Sequence, residues 1–172
     1  KPLDLVGWSL YVTGRGAEGL FATRLDARAG WSTLPSLPAF SDANGWNQHA
    51  RYQTLQSVTV GDNLYVIGCS ANGLTGYGWS IADQRWTALP EIGDFRDTSV
   101  WSEARHYQTI QAVALGPLLQ VVARGVDGVR VHWLDTISGA SGSRPVLPDF
   151  SDAHGWTRPQ YYETIRAVVV QD

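Results

Sequence analysis

With 172 residues, 44% of them apolar and 17% charged, the chain has the size and composition of one folded domain or a compact repeat array, not of a disordered segment. A net charge of −3 at pH 7 removes the electrostatic case for nucleic acid, which needs a basic face. No apolar run approaches the ~18 residues of a membrane-spanning helix, and the single Cys69 leaves neither an internal disulfide nor a Cys-type metal framework.

Taken in order, the elements are short. Residues 3–12, LDLVGWSLYV, read as two apolar strands about a turn at Gly7. SVTVGDNLYVIG (57–68) repeats that pattern with Gly-Asp-Asn as the hairpin signal, and AVALGPLLQVVARG (112–125) is a third version. Glycine-marked turns follow at 16–19, 71–73 and 125–128, and then third strands through LFATRLDA, LTGYGWSIA and VRVHWLDT. Short fourth strands are predicted to end at Leu34-Pro35, Leu89-Pro90 and Leu147-Pro148, where proline blocks further ladder bonding. Trp31 and Trp86, with Arg144 in the third copy, precede these ends and read as cover for the outer sheet face. No segment sustains a 3.6-residue period, so long helices are excluded and the chain reads as all-β.

The stretch Asp42 to Val60, DANGWNQHARYQTLQSVTV, recurs from Asp97 and from Asp152, each step being 55 residues without insertion or deletion. Phe40, Phe95 and Phe150 precede the copies. A fixed period near this length marks a structure made by repeating one unit. The expectation is one domain over 1–172 of three four-stranded antiparallel units (about 3–57, 58–112 and 113–167), with 168–172 as an extra first strand. Beginning at Lys1 and lacking Met, the sequence reads as an excised or processed piece. Cys69 stands where the other units have Arg15 and Arg124, which predicts a buried, passive thiol.

ARGVDGV (123–129), FSDAHGW (150–156) and YYETIRAV (161–168) resemble the FG-GAP/VCBS-type β-propeller repeats of bacterial secreted proteins, relatives of the integrin α-chain propeller. The resemblance covers all three units. It implies propeller-type blades and secretion. Three blades are fewer than the usual four to eight, so a homodimeric six-blade ring is one expected form, and a β-trefoil is the alternative. Family members often bind calcium in an acidic loop between first and second strands. Here those loops are Val60-Gly61-Asp62-Asn63 and Leu115-Gly116-Pro117-Leu118, and one carboxylate cannot supply the hard oxygen ligands of calcium. No metal or other cofactor is therefore expected.

The candidate binding residues are Asp42, Trp46 and Tyr52, then Asp97, Trp101 and Tyr107, then Asp152, Trp156 and Tyr162. A sugar presents an apolar C–H face and a rim of hydroxyls. An indole or phenol covers the first, and Asp, Arg or Asn bind the second. The structural alternative is that Trp and Tyr pack between units while Asp satisfies turn amides. Glu103 and His106 are the one acid–base pairing of note, and they read as exposed loop residues. No nucleophile elbow, phosphate loop or His-Glu-x-x-His spacing occurs. The reading is a lectin-like, non-catalytic carbohydrate-binding module; a protein-interaction or assembly module is the alternative, and an enzyme the third.

Overall fold

A computed structural model describes residues 8–70, 72–92, 95, 106 and 108–170. The chain divides into two compact units, Lys1–Gln48 and His49–Asp172. The first unit carries β1 (Ser9–Gly16), β2 (Gly19–Asp26) and β3 (Gly30–Thr33) as one antiparallel sheet. The second carries β4 (Gln56–Val60), β5 (Asn63–Ser70), β6 (Gly73–Ser80) and β7 (Arg85–Ala88). A second sheet there is formed by β8 (Gln111–Leu115), β9 (Leu118–Gly125), β10 (Gly128–Asp135) and β11 (Ser141–Ser143). Each sheet is a simple meander in chain order. The predicted first strand at residues 3–6 lies outside the described residues, so the first sheet has three strands where four are expected. Two four-residue helices, α1 (His49–Tyr52) and α2 (Pro159–Tyr162), confirm the absence of long helices among the described residues.

The hairpins follow from glycine. Two-residue loops at Gly61-Asp62 and Gly116-Pro117 join first to second strands, with φ of 57° and 55° at the glycines. That backbone region favours glycine. Gly19 and Gly128 meet a harder constraint, because a Cβ on either would collide with the carbonyl oxygen of Leu37 or Leu147. Those two residues return from the aromatic connection to bridge Leu20 and Val129.

Strand alternation gives each sheet two faces. In the second unit, Tyr65, Ile67, Cys69 and Leu74 on one sheet pack with Leu119, Val121, Ala123 and Leu134 on the next, around Phe95 and Ile110. Each fully buried aliphatic side chain here stabilises the fold by about 1.5–3 kcal/mol. The first strands β4 and β8 lie beside each other at this seam.

The coordinates correct the register at three points. Arg144-Pro145, not Leu147-Pro148, is the third counterpart of Leu34-Pro35 and Leu89-Pro90. The N–H groups of Leu34, Leu89 and Arg144 donate to Ala22, Gly76 and Val131, while Leu147 bridges Val129 as Leu37 bridges Leu20. By the same register Ser141, paired with Leu134, occupies the place of Trp31 and Trp86. The repeat step is also not uniform. Leu20 and Leu37 are 17 positions apart, against 18 for Leu74–Ile92 and Val129–Leu147, because the β2–β3 turn closes Asp26 on Gly30 with one residue fewer. Finally, residues 168–170 form no strand, and a strand needs a ladder partner. Just before this segment the amide of Gln111 holds the chain, accepting from the Ala167 N–H (2.8 Å) and donating to the Ile165 carbonyl (2.6 Å).

The turns after β2, β6 and β10 are capped by Asp26, Ser80 and Asp135, whose side chains accept turn N–H groups. Those amide bonds, first from Arg28 and from Ile137, hold the Asp26 and Asp135 carboxyls below the ordinary range. A lowered folded-state pKa means the stabilisation is complete above the ordinary carboxylate range (about 3.9) and is lost as pH falls through the folded value. Acid unfolding of wild type should therefore show a component that the Asp26→Asn/Asp135→Asn variant lacks. Unchanged pH dependence in that variant counts against the turn assignment. Gln84, at φ 50°, stands where Gly139, at φ 75°, closes the equivalent turn. The left-handed region costs a side chain roughly 1–2 kcal/mol, and glycine loses back about 0.5–1 kcal/mol in unfolded-chain entropy. Gln84→Gly should then raise stability by about 0.5–1 kcal/mol in urea unfolding.

Candidate functional site: the aromatic connections

The connections that carry the candidate residues are built alike in the first and third repeats. Each leaves a Leu-Pro step into two 3₁₀ turns, Pro38–Phe40 and Asp42–Asn44, or Pro148–Phe150 and Asp152–His154. Pro at the first turn position costs no hydrogen bond there. The second turns end on Gly45 (φ 84°) and Gly155 (φ 87°), whose N–H groups return to the Asp42 and Asp152 carbonyls. The N–H groups of Asp42 and Asp152 themselves donate to Ala17 (2.9 Å) and Val126 (3.0 Å) in the adjacent hairpin loops.

Both aspartates are fixed from the sheet by an arginine. Arg15 on β1 donates through Nε to the Phe40 carbonyl at 2.9 Å and ion-pairs with Asp42. Arg124 on β9 repeats this, donating to the Phe150 carbonyl at 2.7 Å and to Asp152 Oδ1 at 2.5 Å. Its second terminal nitrogen bond goes to the Trp156 carbonyl at 2.9 Å. Tyr162 completes the third copy: its hydroxyl donates to Asp152 Oδ1 at 2.9 Å, and its ring lies 3.9 Å from the Arg124 guanidinium carbon. Arg124 and Tyr162 are fully buried. Such a charge can be buried only because carboxylate, carbonyls and ring together replace its water. In the second repeat Cys69 stands at this place and its thiol faces the Phe95 carbonyl at 3.3 Å, so the thiol is buried as expected.

A threonine ties the first and the second connection to the sheet that follows it. Thr54 Oγ1 donates to the Arg51 carbonyl (2.6 Å) and accepts from Cys69 N–H (2.9 Å). Thr109 repeats this with the His106 carbonyl (2.7 Å) and Arg124 N–H (2.8 Å).

The candidate residues therefore part company. Asp42 and Asp152 are ion-pair partners that start 3₁₀ turns; their side chains accept from arginine, and Asp152 also from the Tyr162 hydroxyl. Trp46 is 3% exposed and packs edge-on to Phe40 at 4.7 Å. Tyr52 is 37% exposed beside His49. Trp156 is half-buried, against Phe150 on one side (4.9 Å) and Tyr161 on the other (5.9 Å). Asp97, Trp101 and Tyr107 lie outside the described residues, as does Glu103. His106 is a correction: far from sitting on an exposed loop, it is 1% exposed, with its ring 5.7 Å from that of Tyr162. Arg15 and Arg124 are the partners that sequence reasoning overlooked, although their shared position with Cys69 was visible.

Among the described residues no three His, Cys, Asp or Glu side chains converge as a metal site would require. The accessible chemistry is aromatic: half-buried Trp156 with Tyr161 on the third connection, above its ionic frame, and Tyr52 on the first. Comparison with protein-family models and with curated protein sequences returns no match.

Removing the guanidinium leaves Asp152 partly desolvated and several carbonyls unpaired. Arg124→Met should cost about 3 kcal/mol, the low end for breaking a buried pair, because Asp152 retains some water contact. Tyr162→Phe removes one hydrogen bond and should cost about 1 kcal/mol. Equal losses for the two variants in denaturant titration contradict the hierarchy.

Proposed function

We propose that this chain is a non-catalytic, lectin-like carbohydrate-binding module, with its best-formed site on the third aromatic connection. The observation that carries the reading is the half-buried Trp156 ring set edge-on to Tyr161, which is itself 37% exposed. A pyranose C–H face suits such a surface. Hydroxyl partners are at hand in the same connection, from His154 to Arg158. Because Arg124 and Tyr162 hold the connection from below, ligand binding has little ordering to do, which favours even a shallow site.

The fold reading behind this proposal is a set of propeller-type blades of the FG-GAP/VCBS kind, and the resemblance brings secretion with it. Support comes from the meander order of every sheet and from the face-to-face packing of the two sheets in the second unit. In a trefoil the repeats would instead share one closed barrel. Trp46 belongs to the frame in this reading and not to a ligand surface.

Titration of the folded chain with mannose, fucose, galactose and N-acetylglucosamine, followed by calorimetry and tryptophan fluorescence, is the test. The expected result is millimolar or tighter binding of at least one sugar, weakened at least about tenfold (1.4 kcal/mol) by Trp156→Ala and by Tyr161→Ala with melting temperature unchanged. Trp46→Ala should lower stability by about 3–5 kcal/mol and leave that affinity alone. No binding of any of these sugars at tens of millimolar removes the proposal.

A further inference from the structure

The two faces of each sheet can be followed through the repeats by register. The leading face holds Leu10 and Val12 in the first sheet, Leu64 and Val66 in the second, and Leu119 and Val121 in the third. The trailing face holds Leu20, then Ile67 and Leu74, then Val129 and Val131; the bridging residues Leu37, Ile92 and Leu147 extend it. Inside the second unit the trailing face of one sheet packs on the leading face of the next. That seam shows how one repeat of this sequence recognises another.

Counterparts on these faces differ in burial from sheet to sheet. Leu64, Val66, Leu119 and Val121 are at most 2% exposed, whereas their counterparts Leu10 and Val12 are 50% and 52% exposed. Phe21 (44%) and Trp31 (59%) share that open face through their pairing with Gly14 and Leu25. On the trailing side Leu37 is 6% exposed and its third-repeat counterpart Leu147 45% exposed, beside a half-buried Val131 and a buried Val129. Isolated surface apolar residues need no explanation; a row of them on one sheet face does.

We propose that the leading face of the first sheet docks the trailing face of the third sheet of a second copy of this chain, as a head-to-tail contact that reproduces the internal seam. The occupant is another copy because the seam of the second unit shows a leading face fitted to a trailing one, and this chain leaves Leu10 and Val12 exposed on the first kind of face and Leu147 exposed on the second. The contact is heterologous, so each copy uses two different surfaces. It does not depend on the carbohydrate reading.

Sedimentation velocity and light scattering on three samples test it. Wild type should be larger than one 18.8 kDa chain at micromolar concentration and should dissociate on dilution. Leu10→Lys/Val12→Lys and Val131→Lys/Leu147→Lys should each be single chains. Mixed, the two variants should associate again, since one intact leading face and one intact trailing face remain. That recovery also shows both variants to be folded. A wild type that stays a single chain throughout overturns the proposal. So does assembly that survives either pair of substitutions, or a mixture that fails to associate although both variants keep the wild-type circular dichroism.

Discussion

The guanidinium of Arg124 is the point at which sheet and connection become one object. It leaves β9, takes the Phe150 and Trp156 carbonyls and the Asp152 carboxylate, and lies against the Tyr162 ring. A buried arginine is costly to desolvate, and these partners offset that cost at Nε and Nη2, while Nη1 is buried without a hydrogen bond. The same geometry recurs at Arg15, Phe40 and Asp42. The irregular segment is therefore as well determined as the strands, though it has almost no ladder bonds of its own.

That constraint decides which aromatic rings remain available. Trp46 is sealed against Phe40, and Tyr162 is consumed by the ion pair. Trp156 and Tyr161 stay partly open because the frame below them is already satisfied by other groups. A single motif thus serves as packing in one copy and leaves an accessible surface in another. In the second repeat Cys69 stands in the place of the arginine, and its thiol faces the Phe95 carbonyl.

Much of the architecture was legible in the residues. Gly-Asp-Asn at 61–63 specified a tight hairpin, AVALGPLLQVVARG at 112–125 repeated its two-strand pattern, and the lack of a helical period excluded long helices. The threefold Asp, Trp and Tyr pattern located the connections. What misled was register by sequence motif. Leu147-Pro148 looks like Leu34-Pro35, but hydrogen bonding assigns that place to Arg144-Pro145, because ladder position and not dipeptide identity defines equivalence. The role of Asp152 was hidden for another reason. Its partner lies 28 positions earlier on a different element, and no local spacing rule reaches that far. His106 was misplaced because polarity suggests exposure, whereas burial here follows the inward side of the connection.

The central claim is that arginine and aspartate act as one coupled unit and not as two separate polar residues. A double-mutant cycle on Arg124→Met and Asp152→Asn, read by urea unfolding, tests it directly. The account predicts a coupling energy of about 2 kcal/mol or more, since either substitution alone leaves the other group stranded. Losses that simply add, with coupling inside about 0.5 kcal/mol, would contradict it.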